Sequence, residues 1–343
     1  MLMIILLHTN YFSLGGPTQE DIELEPLSSF WRVFSEQLCI VGVNVFVMIS
    51  GWFGIKPKTK GLCSLLYQVL FWGAIITIGG ILFNVCIPIK STAKLFWFGS
   101  YYWFIIAYIG LYILSPVLNS FIKTASAKEY LVVLIGFFAA EIIYGWIYNS
   151  ESYYSGYSII SFVGLYLLAR FLRLHSKRLL RTKTIKYMVL YLVMTFIPAA
   201  ISYIGIKNNW PQLRPLYYSS PFVIAASTFL FLSFAKHDFN SRAINWIACS
   251  TFSAFLIHLH PIIVPYFQST MRYLADSFST LSYTIIVVLF AVAIILASSI
   301  LDKLRIISWN YISSICLDKI IFRIDSRFEN RMEKKHPWSA SDK

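Results

Sequence analysis

From Tyr283 to Leu301 the chain carries no Asp, Glu, Lys or Arg. A stretch of that length and character suits an α-helix crossing a bilayer, which needs about 20 apolar residues. Comparable blocks recur at about Leu62 to Cys86, Tyr101 to Ile122, Tyr130 to Tyr148, Tyr157 to Leu172, Ile185 to Ile204, Leu216 to Phe234 and Ile244 to Phe267. A shorter one, Leu38 to Gly54, closes on the basic turn of Lys56, Lys58 and Lys60. Charged residues make up 13% of the chain and hydrophobic ones 57%. Soluble domains carry roughly 25% charged residues, so this chain lacks the charge to cover a water-facing surface. With the apolar stub Met1 to Tyr11, the blocks predict an all-α integral membrane protein. Its form is a polytopic bundle of about ten transmembrane helices, the first of them truncated.

The net charge of +13 would suit nucleic acid if it covered one face of a soluble domain. Instead the bases gather in short loops: Lys56 to Lys60, Lys123 and Lys128, Arg170 to Lys186, Lys236 and Arg242, and the segment from Lys303 onward. Loops rich in Lys and Arg resist translocation and stay in the cytoplasm. The expectation is therefore both termini cytoplasmic, a transmembrane domain over 1–301 and a basic cytoplasmic tail over 302–343, with the lipid bilayer as partner and no nucleic acid. The loop holding Glu20, Asp21, Glu23, Glu25 and Glu36, with Arg32 as its only base, falls outside. Tyr101-Tyr102-Trp103, Tyr153-Tyr154 and Tyr217-Tyr218 sit at the ends of spans, where amphipathic rings settle among headgroups. In the tail, Ile306, Trp309, Ile312 and Ile320 alternate with bases, a pattern shared by helices lying along a leaflet and by solvated tails.

A titratable group inside an apolar block must offset its desolvation, which makes it a functional candidate. His8 ends the run from Met1 to Leu7, near the outer end of its helix. Glu141, in Phe137-Phe138-Ala139-Ala140-Glu141, faces the bundle interior as an interhelical hydrogen bond or as part of a site. His258 and His260 stand two apart, and on a regular helix they point in nearly opposite directions and cannot share one metal ion. Pro261 frees carbonyls one turn back, opening a polar break that His258 lines. Arg170 either snorkels to the inner surface or joins Arg173, Lys177, Arg178 and Arg181 in a cationic mouth able to hold phosphates. Asn44, Ser50 and Gly51 are polar or small where helices pack closely. Cys39, Cys63, Cys86, Cys249 and Cys316, odd in number and without a Cys-x-x-Cys pair, read as buried hydrophobes, and no metal is expected. No phosphate-binding loop, dinucleotide fingerprint, HExxH or Gly-x-Ser-x-Gly elbow occurs.

Several of these segments, in this order, carry a resemblance. A first helix ending Leu6-Leu7-His8-Thr9, then Val43-Asn44-Val45-Phe46-Val47-Met48-Ile49-Ser50-Gly51-Trp52-Phe53 before a basic turn, resembles the opening of the membrane-bound acyltransferase 3 family. The segments from Tyr101 to Pro116 and from Ala254 to His258 are similar to the same family. The likeness is strongest to the branch that includes the O-acetyltransferase of enterobacterial common antigen. The resemblance implies an integral inner-membrane enzyme that moves an acyl group, by default acetyl from acetyl-CoA, without a metal. The acceptor it implies is a hydroxyl of a cell-surface polysaccharide or of its lipid-linked precursor, and polysaccharide assembly proteins are further partners.

His8 matches the family's first-helix histidine and takes the role of general base. Asn44 is a candidate donor to the developing oxyanion, and Glu141, Arg170 and His258 are candidates for substrate binding. Family members place an arginine about ten residues before the histidine, roughly three helical turns. Here that position precedes Met1: either the native chain is longer at this end, which is the expectation, or the residue is lost. A counterpart of the family's fused extracytoplasmic hydrolase-like domain is not expected in residues 1–343. The alternative function is a transporter or flippase of a glycan or small solute, with Glu141, His258 and Arg170 along its path; a scaffold of a polysaccharide assembly complex is the third.

Overall fold

The computed structural model describes residues 1–85, 89–96, 102–210, 215–237 and 240–317. Cys86, Tyr101 and the tail beyond 317, including Ile320, lie outside the described residues. Every regular element among the described residues is helical. In chain order the principal helices are α1 (Leu2–Thr9), α2 (Pro26–Phe53), α3 (Thr59–Leu82), α4 (Trp103–Thr124), α5 (Ala127–Ala140), α6 (Ile159–His175), α7 (Thr184–Lys207), α8 (Pro221–Ala235), α9 (Thr251–His258), α10 (Val264–Ser277) and α11 (Thr280–Ile312). Six are long and apolar enough to cross a membrane: α2, α3, α4, α5 with its continuation to Ile147, α7, and α11 with its continuation to Ile315. Val132, Ile135, Leu289 and Ile300 stay exposed in the folded chain, as side chains do on helix faces that meet hydrocarbon rather than water.

Helix ends follow local chemistry. Ser126 and Glu129 form a capping box that opens α5, and Ser158 and Ser279 cap α6 and α11 with their hydroxyls, satisfying donors that a first turn leaves unpaired. At the other end of α2, Gly54 takes φ +78°, a left-handed conformation that glycine adopts without a Cβ penalty.

The structure corrects the expected start of the second span. Helix α2 begins at Pro26, not near Leu38, and bends at Ile40 between its two segments, Pro26–Cys39 and Val41–Phe53. Proline suits a first helical position because its missing N–H has no intrahelical acceptor there. Phe30 and Phe34, one turn apart, stack on each other and both meet Phe196 of α7 edge-on. Glu36 therefore lies inside the helix rather than in an outer acidic loop, and it is buried.

A second correction concerns the block from Ile244 to Phe267. It is a chain of pieces, Arg242–Ala248, Thr251–His258 and Val264–Ser277, with α9 ending on His258. Pro261 lacks an N–H and collides with the preceding turn, so the helix cannot run through it. Helix α11, by contrast, passes through Leu301 without a break. Beyond that residue Asp302 and Arg305 are buried as a bidentate pair at 2.8 and 2.7 Å, and Trp72 Nε1 donates to Asp302 Oδ1 at 3.1 Å. A buried pair with its oxygens also hydrogen-bonded meets the condition for tolerating charge away from water.

Candidate active site

Helix α1 stops two residues after His8, at Asn10, whose φ −103° and ψ −105° leave the helical region. A helix end away from water must find partners for its last carbonyls: the Leu7 carbonyl takes the Asn10 N–H at 3.3 Å, and side chains serve the next ones. Ser13 Oγ donates to the His8 carbonyl at 2.6 Å and Tyr283 OH to the Thr9 carbonyl at 2.6 Å. Gln268 Nε2 donates to the Phe12 carbonyl at 2.8 Å and Arg272 Nε to the Ser13 carbonyl at 3.0 Å. Asn10 Nδ2 donates to the Arg32 carbonyl at 2.8 Å, and Arg32 reaches back to the Gly15 carbonyl. Helices α2, α10 and α11 thus fix the turn that carries His8.

The same turn brings His8 to His258. His8 Nδ1 lies 2.8 Å from His258 Nε2, with ring centroids 5.1 Å apart. His258 Nδ1 lies 2.5 Å from the Ala254 carbonyl oxygen. That carbonyl only accepts, so His258 Nδ1 carries the proton and Nε2 of the neutral ring offers a lone pair. His8 Nδ1–H must then be the donor between the rings, which leaves His8 Nε2 unprotonated. No described residue hydrogen-bonds His8 Nε2.

Both histidines also sit in the last turns of their helices, α1 and α9. The partial negative charge of a helix C-terminus favours a neighbouring cation by up to about 2 kcal/mol in partly buried settings. The two helix ends thus offset part of what a positive charge costs at this buried pair.

His8 borders a cavity of about 800 Å³, a size that encloses a small ligand. Its walls include Tyr11, Glu36, Trp103, Tyr157 and Tyr218. Trp103 packs on Tyr157 at 4.4 Å and on Tyr218 at 5.7 Å between centroids, and Tyr157 meets Tyr218 at 4.8 Å. The rings at 103 and 218, and Tyr154 beside them, lie at helix and loop ends as the sequence suggests, but they line this cavity too.

The remaining candidates take other positions. Asn44 is buried, and its Nδ2 donates to the Tyr218 carbonyl at 3.2 Å, fixing the loop that carries this cavity wall. Glu141 opens a π-helical turn, Glu141–Ile147, at the end of α5; its Oε1 accepts from Ser161 Oγ at 2.6 Å and its Oε2 has no partner among the described residues. Four residues on, the Gly145 carbonyl accepts from Ser219 Oγ at 2.9 Å, so this turn supports the same loop from behind. Arg170 Nη1 and Arg173 Nη1 both donate to the Trp52 carbonyl, at 3.1 and 2.6 Å, at the C-terminus of α2. His260 is buried with a different partner, its Nδ1 accepting from Ile262 N at 3.3 Å. The structure brings His8 and His258 together and leaves Glu141 and Arg170 apart from them. Glu36 reaches the cavity without having been a sequence candidate; Pro26 and the helical spacing of Phe30, Val33 and Phe34 were the signals that could have extended α2 back over it.

A bundle of apolar helices with a hydrogen-bonded histidine pair beside a cavity defines the fold and the candidate site of a helical membrane protein. Residues 1–301 match the acyltransferase domain of the acyltransferase 3 family, and the chain belongs to that family of membrane acyltransferases. No curated protein and no solved structure matches the chain.

Proposed function

We propose that the protein is an O-acetyltransferase of the inner membrane, moving acetyl from acetyl-CoA to a hydroxyl of a surface polysaccharide or its lipid-linked precursor, in the manner of the branch that modifies enterobacterial common antigen. The observation that carries this reading is the unprotonated His8 Nε2 at the cavity wall, its tautomer set by His258 and the Ala254 carbonyl. His8 Nε2 takes the proton of the acceptor hydroxyl while the hydroxyl oxygen bonds to the thioester carbonyl carbon. The C–S bond then breaks, and the leaving thiolate takes that proton back, giving the ester and the free thiol. During the transfer the imidazolium of His8 donates through Nδ1 to His258, so its charge is shared with a second ring and with two helix C-termini.

The charge distribution along the chain supports cytoplasmic termini and a cytoplasmic donor. Arg170 and Arg173 at the end of α2, with Lys56, Lys58 and Lys60 following, offer the donor's phosphates a cationic mouth. Asn44 acts by holding the Tyr218 loop, and Glu141 by tying its π-helical turn to Ser161 of α6. The cavity wall formed by residues 154–157 and 216–218 is the acceptor side.

Proteoliposomes containing the full chain and radiolabelled acetyl-CoA test the reading against transport. Acyl transfer releases CoA thiol and leaves label in ester linkage on a co-reconstituted lipid-linked glycan. Glycan crossing the membrane with no thiol release would replace this reading with the flippase.

A further inference from the structure

Glu36 is a carboxylate inside a membrane-spanning helix, buried to 5% exposure, with its side chain on the wall of the cavity that holds His8. The base nearest in sequence, Arg32, is one turn away and is engaged elsewhere, on the Gly15 carbonyl and on Asn10 Oδ1 at 3.4 Å. The protein gives the Glu36 carboxylate the Tyr11 N–H at 3.3 Å and the Asn10 side chain. A carboxylate has about four lone-pair sites, so part of its accepting capacity is left to whatever fills the cavity.

The groups around Glu36 narrow the occupant. Tyr157 and Tyr218 share a hydrogen bond and both lie within electrostatic reach of the carboxylate. Beside them Trp103 and Phe104 present aromatic rings. Ring faces are electron-rich and attract weakly positive C–H groups; a buried carboxyl group hydrogen-bonds O–H groups. A neutral sugar ring offers C–H groups on its face and hydroxyls on its rim. An acidic sugar would bring a charge to a wall on which no described Lys or Arg pairs it.

We propose that Glu36 is the acceptor-binding carboxyl group: it hydrogen-bonds hydroxyls of an uncharged sugar residue lying on the Trp103–Tyr157–Tyr218 wall, and this buried wall without Lys or Arg selects against acidic sugars. This rests on the acyl-transfer reading for its place in a reaction, but its binding chemistry is separable from it. Glu36 contacts the sugar, while His8 removes the proton.

Saturation-transfer NMR on the purified full chain in detergent tests the subsite, with methyl glucoside, methyl N-acetylglucosaminide and methyl glucuronide as probes. The neutral glycosides bind and the glucuronide does not. Glu36→Ala weakens neutral binding about tenfold, the cost of losing its hydrogen bonds to the sugar; Tyr157→Phe, which keeps the ring, weakens it less. Glucuronide binding equal to that of the neutral probes, no binding of any probe, or Glu36→Ala and Tyr157→Phe both behaving as the parent chain would overturn the proposal. The two readings part cleanly: Glu36-dependent binding without acetyl transfer by the parent chain removes the enzyme and keeps the subsite, and transfer without Glu36 dependence does the reverse.

Discussion

His258 Nε2 accepts from His8 Nδ1 at 2.8 Å across 250 positions of sequence. The bond joins the last turn of α1 to the last turn of α9 and decides which nitrogen of His8 is basic. Removing the acceptor while keeping the volume, as in His258→Leu, leaves His8 without a set tautomer. The expected result is a fall in kcat of about 10- to 100-fold with little change in KM for acetyl-CoA. His258→Gln, whose amide oxygen accepts a hydrogen bond, recovers part of the loss. Steady-state kinetics of both variants checks this, and equal activity of the two would remove the positioning role.

Arg170 shares the Trp52 carbonyl with Arg173, so one guanidinium can be lost without uncapping α2. Arg170→Ala is expected to raise KM for acetyl-CoA by about 3- to 10-fold, the scale of a lost charge-assisted hydrogen bond. KM for S-acetylpantetheine, which lacks the nucleotide phosphates, should stay near the parent value. Parallel losses on both thioesters would assign Arg170 to the helix end alone.

Gly51 lies where α2 crosses α6, and a Cβ placed there would come 2.9 Å from Tyr166 Cα and still nearer the Tyr166 carbonyl oxygen. Backbone cannot yield as a side-chain tip does. Gly51→Ala should therefore destabilise the chain by about 1–3 kcal/mol, read as a lower midpoint of thermal unfolding in detergent. An unchanged midpoint would mean that the two helices can separate without cost.

Glu141 stands behind the Tyr218 loop and meets Ser161 Oγ at 2.6 Å. Glu141→Gln keeps an oxygen for that hydroxyl and should retain most of the acetyl transfer, within about threefold. Glu141→Leu leaves Ser161 unpaired in a buried place, at a cost of about 1–3 kcal/mol, and should lower the amount of folded protein. Transfer assays with immunoblots of the membrane fraction separate the two effects, and a complete loss in Glu141→Gln at normal protein level would place the carboxylate in the chemistry.

The helical, membrane-spanning character was legible because charge is excluded from long blocks such as Tyr283 to Leu301. His8 and His258 stood out for the related reason that a titratable ring in apolar surroundings needs a purpose. Their bond was not legible: nothing in local sequence reports that two helix ends so far apart in the chain converge. The break at Pro261 was visible as chemistry, but its outcome, a helix ending on His258 itself, depends on packing. Glu36 was hidden by its company, since Glu20, Asp21, Glu23 and Glu25 made the whole stretch look like one acidic loop. The carboxylates before Pro26 and the one after it belong to different environments, one outside the spanning helix and one within it.

The most direct test of the account is acetyl transfer by His8→Ala at matched protein level, with radiolabelled acetyl-CoA and the lipid-linked glycan in proteoliposomes. A general base at the reacting hydroxyl is worth about 10²- to 10⁴-fold. The account expects a loss of that size; transfer at the parent rate would contradict it.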